Sequence, residues 1–369
     1  MPTVPPELSD YIVDFLHNDY PSLKACCLAS RDWLATARYH LFESVTLHNP
    51  RLCEAFKQLM ERSPTIGSFV QEINISRLIG PGTTTYTGAE RHLLEQSLSS
   101  IFVCLDHVKT LSVAMLDISA TIQSGLVNRP SVTELVLQYC TLPAFQDFIQ
   151  LFHCYPLLES LNLHGVTWKS KSFRPLSRST SVHLRKLVVG RDVDTTTLLE
   201  WMLAESIHGS IESLSICCTS ERDAVVVAPL LEILGPQLAH LDLHWNLPAA
   251  KSIRLPPVLS VERCTSLREL SLYCAVPYDC TLLWLTALLS GLRAAHLEVI
   301  VVNLRVLGNL EAIDWEAAEK ILSEITSLRS LLFRIKLWVG VYANRLEVET
   351  SIRGSLSHLD SKGLLSFAS

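Results

Sequence analysis

No stretch of this 369-residue chain combines the length and apolarity of a membrane span. The best candidate, Cys280 to Leu292, is bounded by Asp279 and Arg293 and falls well short of the ~20 residues a spanning helix needs. A basic segment followed by an apolar core is missing from the N-terminus, so no secretory leader is expected. Charged residues are scarce, at 18%, and the formal net charge is −6. That balance argues against nucleic acid as the main ligand, because phosphate recognition needs clustered Lys and Arg. The chain has no Gly-x-Ser-x-Gly elbow, no glycine-rich phosphate loop, and no Cys/His pair with a plausible third partner. Its 11 cysteines are odd in number and lack the repeated spacing of a metal site. They are expected to be reduced core side chains, as in a cytoplasmic or nuclear protein, and neither metal nor cofactor is expected. What the chain has in quantity is apolar surface: 48% of residues, with a mean hydropathy of +0.26. Most residues must be buried somewhere.

The first 48 residues are the most informative. Pro5 and Pro6 can open a helix, since a fixed φ suits the first turn and the missing N–H is not needed there. Leu8, Ile12 and Leu16, four apart, are expected on one face. Pro21 opens a second helix carrying Leu23, Cys26 and Cys27. Ser30 can cap a third, whose Trp33, Ala37 and Leu41 are again four apart. A unit of about 40 residues buries little apolar area by itself, so an apolar face here should meet another protein.

In order, these residues read Val4-Pro-Pro-Glu-Leu8, Ile12, Leu16, Cys26-x-Leu28, Ser30-Arg-Asp-Trp33, Ala37-Arg38 and Leu41-Phe42. The segment closely resembles an F-box, with Val4 for the usual leucine and Ala29 for the usual valine. It is most similar to the large F-box families of basidiomycete fungi. The resemblance implies docking to a Skp-type adaptor, and through it to a cullin–RING ubiquitin ligase, by Pro5, Pro6, Glu7, Leu8, Ile12, Leu16, Leu23 and Trp33.

Repetition organises the rest. The pattern apolar-x-x-apolar-x-apolar recurs with central positions Ile73, Leu111, Leu135, Leu161, Leu187, Leu214, Leu241, Leu270, Leu297 and Leu331, most of them about 26 residues apart. Helix-like segments lie between, among them Ala89–Leu105, Leu142–Cys154, Thr195–His208, Asp223–Leu234, Thr281–Leu292 and Trp315–Ile325. Polar loops are expected at Gly80–Gly88 and Asn246–Pro257. One strand and one helix per repeat resembles the irregular leucine-rich repeats that follow many F-boxes. The expected fold is therefore α/β: an F-box over 1–48, a curved solenoid of about ten parallel strands over 49–340, and a C-terminal cap over 341–369. Leu346, Val348, Ile352, Leu356, Leu359 and the closing Gly363-Leu-Leu-Ser-Phe367 are available for that cap.

In such a stack the strands line the inner, concave side, and residues between the anchors point out across it. Glu72, Glu134, Asp242, Glu269 and Glu298 are expected there against Lys186 and Arg334, a mildly acidic face. His240, Asp242, His244, Glu269, Tyr273, His296 and Glu298 form the candidate target-binding cluster, with Tyr273 offering large contact area at low entropy cost. Together these expectations describe a substrate-recognition subunit of an SCF-type ubiquitin ligase, not itself an enzyme, binding an unknown protein target and neither nucleic acid nor membrane. One alternative is a non-degradative interaction scaffold. A remoter one is a metal-dependent enzyme using His240, Asp242 and His244, which alternate along one strand.

Overall fold

The computed structural model describes residues 5–76, 88–118, 123, 125–126, 131–174, 182–245, 260–276, 282–337 and 344–368. The expected loop over Gly80–Gly88, up to Thr87, and the loop over Asn246–Pro257 lie outside the described residues. The chain is α/β and divides into two compact units, with the division between Arg174 and His183.

The first unit opens with three helices: α1 (Pro6–Asp14), α2 (Tyr20–Ala29) and α3 (Arg31–Phe42). Their starts follow from local chemistry. Pro5 and Pro6 lead into α1, the Asp19 carboxylate accepts from the Ser22 amide ahead of α2, and Ser30 Oγ accepts from the Asp32 amide ahead of α3. The strand β1 (Ser44–Leu47) then follows α3 almost directly, and α4 (Pro50–Arg62) follows with Asn49 as its cap. Cys53, Phe56 and Met60 face inward from α4. Four further ladder strands are β2 (Glu72–Ser76), β3 (Thr110–Ala114), β4 (Glu134–Gln138) and, after a short β5 (Thr141–Ala144), β6 (Ser160–His164). The ladder runs β1-β2-β3-β4-β6, every pair parallel. Helix α5 (Gly88–Val103) lies between β2 and β3 in sequence, and α6 (Phe145–His153) between β5 and β6. A separate two-stranded sheet joins β5 to β7 (Thr167–Ser170), with Leu142 opposite Trp168.

The second unit carries seven parallel strands in chain order: β8 (Lys186–Val189), β9 (Ser213–Cys218), β10 (His240–Trp245), β11 (Glu269–Val276), β12 (Val299–Val306), β13 (Ser330–Leu337) and β14 (Leu365–Ala368). Among the described residues, helices α7 (Thr195–Ala204), α8 (Glu221–Leu234), α9 (Leu283–Ser290) and α10 (Trp315–Ser323) lie between successive strands other than β10 and β11, and α11 (Arg345–Ser355) and α12 (Ser357–Ser361) both lie between β13 and β14.

Two backbone devices repeat. The first residue of a ladder strand and the residue before it both donate to one carbonyl of the preceding strand: Glu212 and Ser213 to Arg185, Ala239 and His240 to Glu212, Arg268 and Glu269 to Ala239. A serine just before the first anchor of a repeat reaches back across the stack. Ser131 Oγ bonds Val108 O, Ser210 bonds Leu184 O, Ser266 bonds Pro236 O, and Ser327 bonds Leu297 O, at 2.6–3.0 Å. Each hydroxyl satisfies a carbonyl that the sheet leaves open.

The anchor pattern holds for nine of the ten expected strands, and the exception matters. β12 pairs Leu270 with Ile300 and Leu272 with Val302, so its central anchor is Ile300, not Leu297. The run Val299-Ile-Val-Val lacks polar alternation, and it is seated three residues further along than the spacing suggested. Two described ladder strands lie outside the expected ten. β1 falls inside the segment assigned to 1–48, and β14 continues the ladder where a cap was expected. Val348, Ile352, Leu356 and Leu359 are fully buried as expected of cap residues, whereas Leu346 is exposed.

The αL conformation recurs just after strands at Met115, Tyr139 and Gly165. At Gly165 a Cβ would stand 2.5 Å from the Tyr139 ring, so glycine is required by both conformation and space.

These anchors carry the stability. Leu241 is 1% exposed, between Leu214 and Leu270. Leu241→Ala is expected to destabilise the protein by about 2–5 kcal/mol, while Ser271→Ala, on the opposite face of the neighbouring strand, should stay within about 0.5 kcal/mol. Urea midpoints of the two variants check this.

Candidate functional site

Two surfaces stand out, one in each unit. In the first, the described side chains that α1 buries are those of Ser9 and Val13, and Val13 joins Leu23, Cys26 and Ala37 in a small core. Leu16, Cys27, Trp33 and Leu41 pack partly against that core. The opposite side of α1 is apolar and open: Leu8 and Ile12 are each 54% exposed, Tyr11 59% and Phe15, just past the helix, 69%. Tyr11 and Phe15 meet edge to face at 4.8 Å. On α2, Leu28 is 90% exposed.

Of the expected adaptor-facing residues, Pro5, Glu7, Leu8 and Ile12 are exposed, and the side chain of Pro6 lies outside the described ones. Leu23 is a correction: it is fully buried, because the inward side of α2 must fill the only core three short helices can make. Leu16 and Trp33 also turn toward that core. Tyr11 and Phe15 were missed, although 8, 11, 12 and 15 follow the i, i+3, i+4, i+7 spacing of a single helix face. The face is held rigidly. Asp10 accepts from Thr36 on α3, and Asp14 bonds His40 Nε2 at 2.8 Å.

In the second unit the expected cluster is brought together only in part. Register places His240 opposite Glu269, Asp242 opposite Ser271, and His244 opposite Tyr273. Asp242 Oδ2 accepts from Ser215 Oγ at 3.0 Å and lies 3.3 Å from His244 Nε2. The His244 ring stacks on Tyr273 with centroids 3.6 Å apart and planes 11° from parallel. Burial pushes the Tyr273 phenol above its ordinary value; the Asp242 charge adds to this, and Arg334 acts against it.

His296 and Glu298 do not join this face. They precede β12, and the Glu298 amide donates to Arg268 O, the position that Arg268 holds relative to Ala239. Glu298 pairs instead with Arg329 at 3.7 Å. His296 lines an open trough of about 880 Å³ at the start of the strands, together with His183, Arg185, Glu212, His240 and Arg268. Ile300 is buried. The residues that β12 presents in its true register are Val299, Val301, Asn303 and Arg305.

Among the described residues no group of three His, Cys, Asp or Glu side chains is placed to hold a metal ion, so His240, Asp242 and His244 are not gathered as ligands. Burial raises the thiol of Cys53 to about 12, Cys140 to about 11, Cys264 to about 11 and Cys274 to about 12, and the described cysteines are all free. Protonated and enclosed, those thiols are poor nucleophiles. No described helix is long and apolar enough to cross a membrane. Neither a protein-family model nor a curated protein matches this sequence.

The stack gives a titration test. Because the folded state holds the Tyr273 phenol above its ordinary value, ionisation there opposes folding, and that part of the stability is lost as pH rises past about 10. Asp242→Asn removes one cause of the shift. The Tyr273 transition, isolated by ultraviolet difference titration against Tyr273→Phe, is expected to move down toward 10.

Proposed function

We propose that the chain is a substrate-recognition subunit of an SCF-type ubiquitin ligase, an F-box protein with irregular leucine-rich repeats. It would dock a Skp-type adaptor through α1 and α2 and hold a protein target on the strand ladder. The observation that carries this reading is the division of α1 into a thin inner side and a broad apolar outer one. Leu8, Tyr11, Ile12 and Phe15 are exposed together along α1, on three helices whose own buried cluster is only Val13, Leu23, Cys26 and Ala37 among the described residues. Large apolar patches of this kind mark protein interfaces. The motif order from Pro5 to Phe42, which resembles an F-box, supplies the identity of the partner.

On this reading the chain performs no chemistry. It raises the effective concentration of a target near the ubiquitin-transfer machinery. A scaffold that uses the same adaptor without degradation differs only in outcome, and ubiquitylation of captured proteins in the assembled complex separates the two.

Leu8→Asp places a carboxylate in the proposed junction, where burial would cost several kcal/mol unless the group protonates. The variant is expected to lose co-purification with the adaptor by at least about tenfold while keeping the wild-type melting temperature, since Leu8 is outside the core. Undiminished adaptor capture by Leu8→Asp overturns the assignment of this face.

A further inference from the structure

Where the N-terminal helices meet the first unit's ladder, one histidine stands between two carboxylates. His40 lies in the last turn of α3, and its side chain is 11% exposed. Its Nε2 is 2.8 Å from Oδ1 of Asp14, the last residue of α1. Its Nδ1 is enclosed, has no hydrogen-bond partner, and stands 3.7 Å from Oε2 of Glu43, just past α3. A neutral imidazole carries one N–H and one lone pair. With the proton on Nε2, an enclosed lone pair faces the Glu43 carboxylate. With the proton on Nδ1, two acceptors meet at the Asp14 contact. Only the imidazolium presents an N–H to both acids, and the carbonyl end of α3 favours a cation there as well.

The remaining titratable neighbours are few. His17 approaches with ring centroids 6.4 Å apart, and its own nitrogens are engaged by Asp14 O and Asn18 Nδ2. Tyr39 meets the His40 ring edge to face at 5.1 Å and donates to Glu43 Oε1. Burial raises the Tyr39 phenol above its ordinary value; the bond to Glu43 and the charges of Glu43 and Asp14 add to this, and Gln71 acts against it. From the ladder side, Glu72 and Lys109, one of each sign, line an open pocket of about 340 Å³ that His40 and Tyr20 also line. The ring therefore spans two structures. Asp14 ends the helix that carries the exposed apolar row, while Glu43 O accepts the Gln71 and Glu72 amides that begin the ladder.

We propose that His40 is a protonation-dependent latch that holds the end of α1 against the first unit's ladder. Imidazole changes charge between about pH 5 and 8. Toward the acid end of that range the ring donates to Asp14 and Glu43 together. Toward the alkaline end it keeps one donor, and its second nitrogen turns a lone pair on a carboxylate. The bond from Thr36 to Asp10 remains, so the change is a loosening of α1 and not its release. Leu8, Tyr11, Ile12 and Phe15 loosen with it. The latch is a property of the fold, whereas its effect on adaptor capture rests on the function proposed above.

Hydrogen exchange of the full chain without partners, at about pH 6 and about pH 8, tests the latch. Protection factors remove the intrinsic pH dependence of exchange, and α1 is read relative to β10. The wild type is expected to protect α1 at least about threefold more at the lower pH. His40→Gln keeps a donor for Asp14 but carries no charge, and its ratio between the two pH values should fall to one. Glu43→Gln offers the Nδ1 lone pair an amide N–H, so it too should bring the ratio to one, even if His40→Gln folds poorly. His17→Gln should keep the wild-type ratio. Melting temperatures establish which variants fold. A wild-type ratio of one or below, a ratio above one in folded His40→Gln or Glu43→Gln, or loss of the ratio in His17→Gln each overturns the proposal. Adaptor capture is scored at the same two pH values. No capture at either would count against the ligase-subunit reading and leave the latch standing.

Discussion

The rest of the structure depends on one constraint: a short parallel strand cannot bury its own apolar side chains. Each ladder strand offers two or three anchors, such as Leu241 and Leu243, and these become fully enclosed only between the anchors of the strands before and after and the helices beneath. Burial of each anchor contributes roughly 1.5–3 kcal/mol, but only when register is kept. Register then determines the surface as well, because side chains alternate and any odd slip exchanges inside for outside. The composition of the open face is a consequence of how the core is packed.

That dependence explains what was legible in the sequence. Strands with polar residues between their anchors, such as Ser160-Leu-Asn-Leu-His164 or His240-Leu-Asp-Leu-His244, are seated where the spacing placed them. β12 is apolar at four successive positions, so either seating buries plausible anchors, and only its neighbours choose between them. The consequence is local but chemical. His296 and Glu298 leave the face, and Asn303 and Arg305 enter it. β1 was illegible for another reason. Val45 and Leu47 are its only apolar residues, and they follow α3 so closely that the helical motif absorbs them. β5 and β7, of four residues each, carry no period to read, and their pairing is visible only once Leu142 and Trp168 meet.

The helical segment at the N-terminus was legible in motif and only partly in burial. Three short helices have one small interior to fill, and Leu23 and Cys26 occupy it, so residues of apolar type on α2 divide between core and surface. The segment is also tied to the first unit's ladder. Tyr39 on α3 donates to Glu43 and accepts from Gln71 Nε2, while the Gln71 and Glu72 amides both donate to Glu43 O. A partner bound to α1 would therefore be held in a fixed relation to β1 and β2, not on a tether. Under the proposed function, in which the chain would act by positioning, stiffness at this joint would matter, since effective concentration falls as a connection loosens.

The central claim is that the open side of α1 is where an adaptor sits. Hydrogen exchange on the full chain, with and without a purified Skp-type adaptor, tests it most directly. The account predicts added protection over Leu8–Phe15 and the neighbouring turns of α2, with β9, β10 and β11 unchanged. Protection that appears on the ladder strands alone, or nowhere, would contradict it.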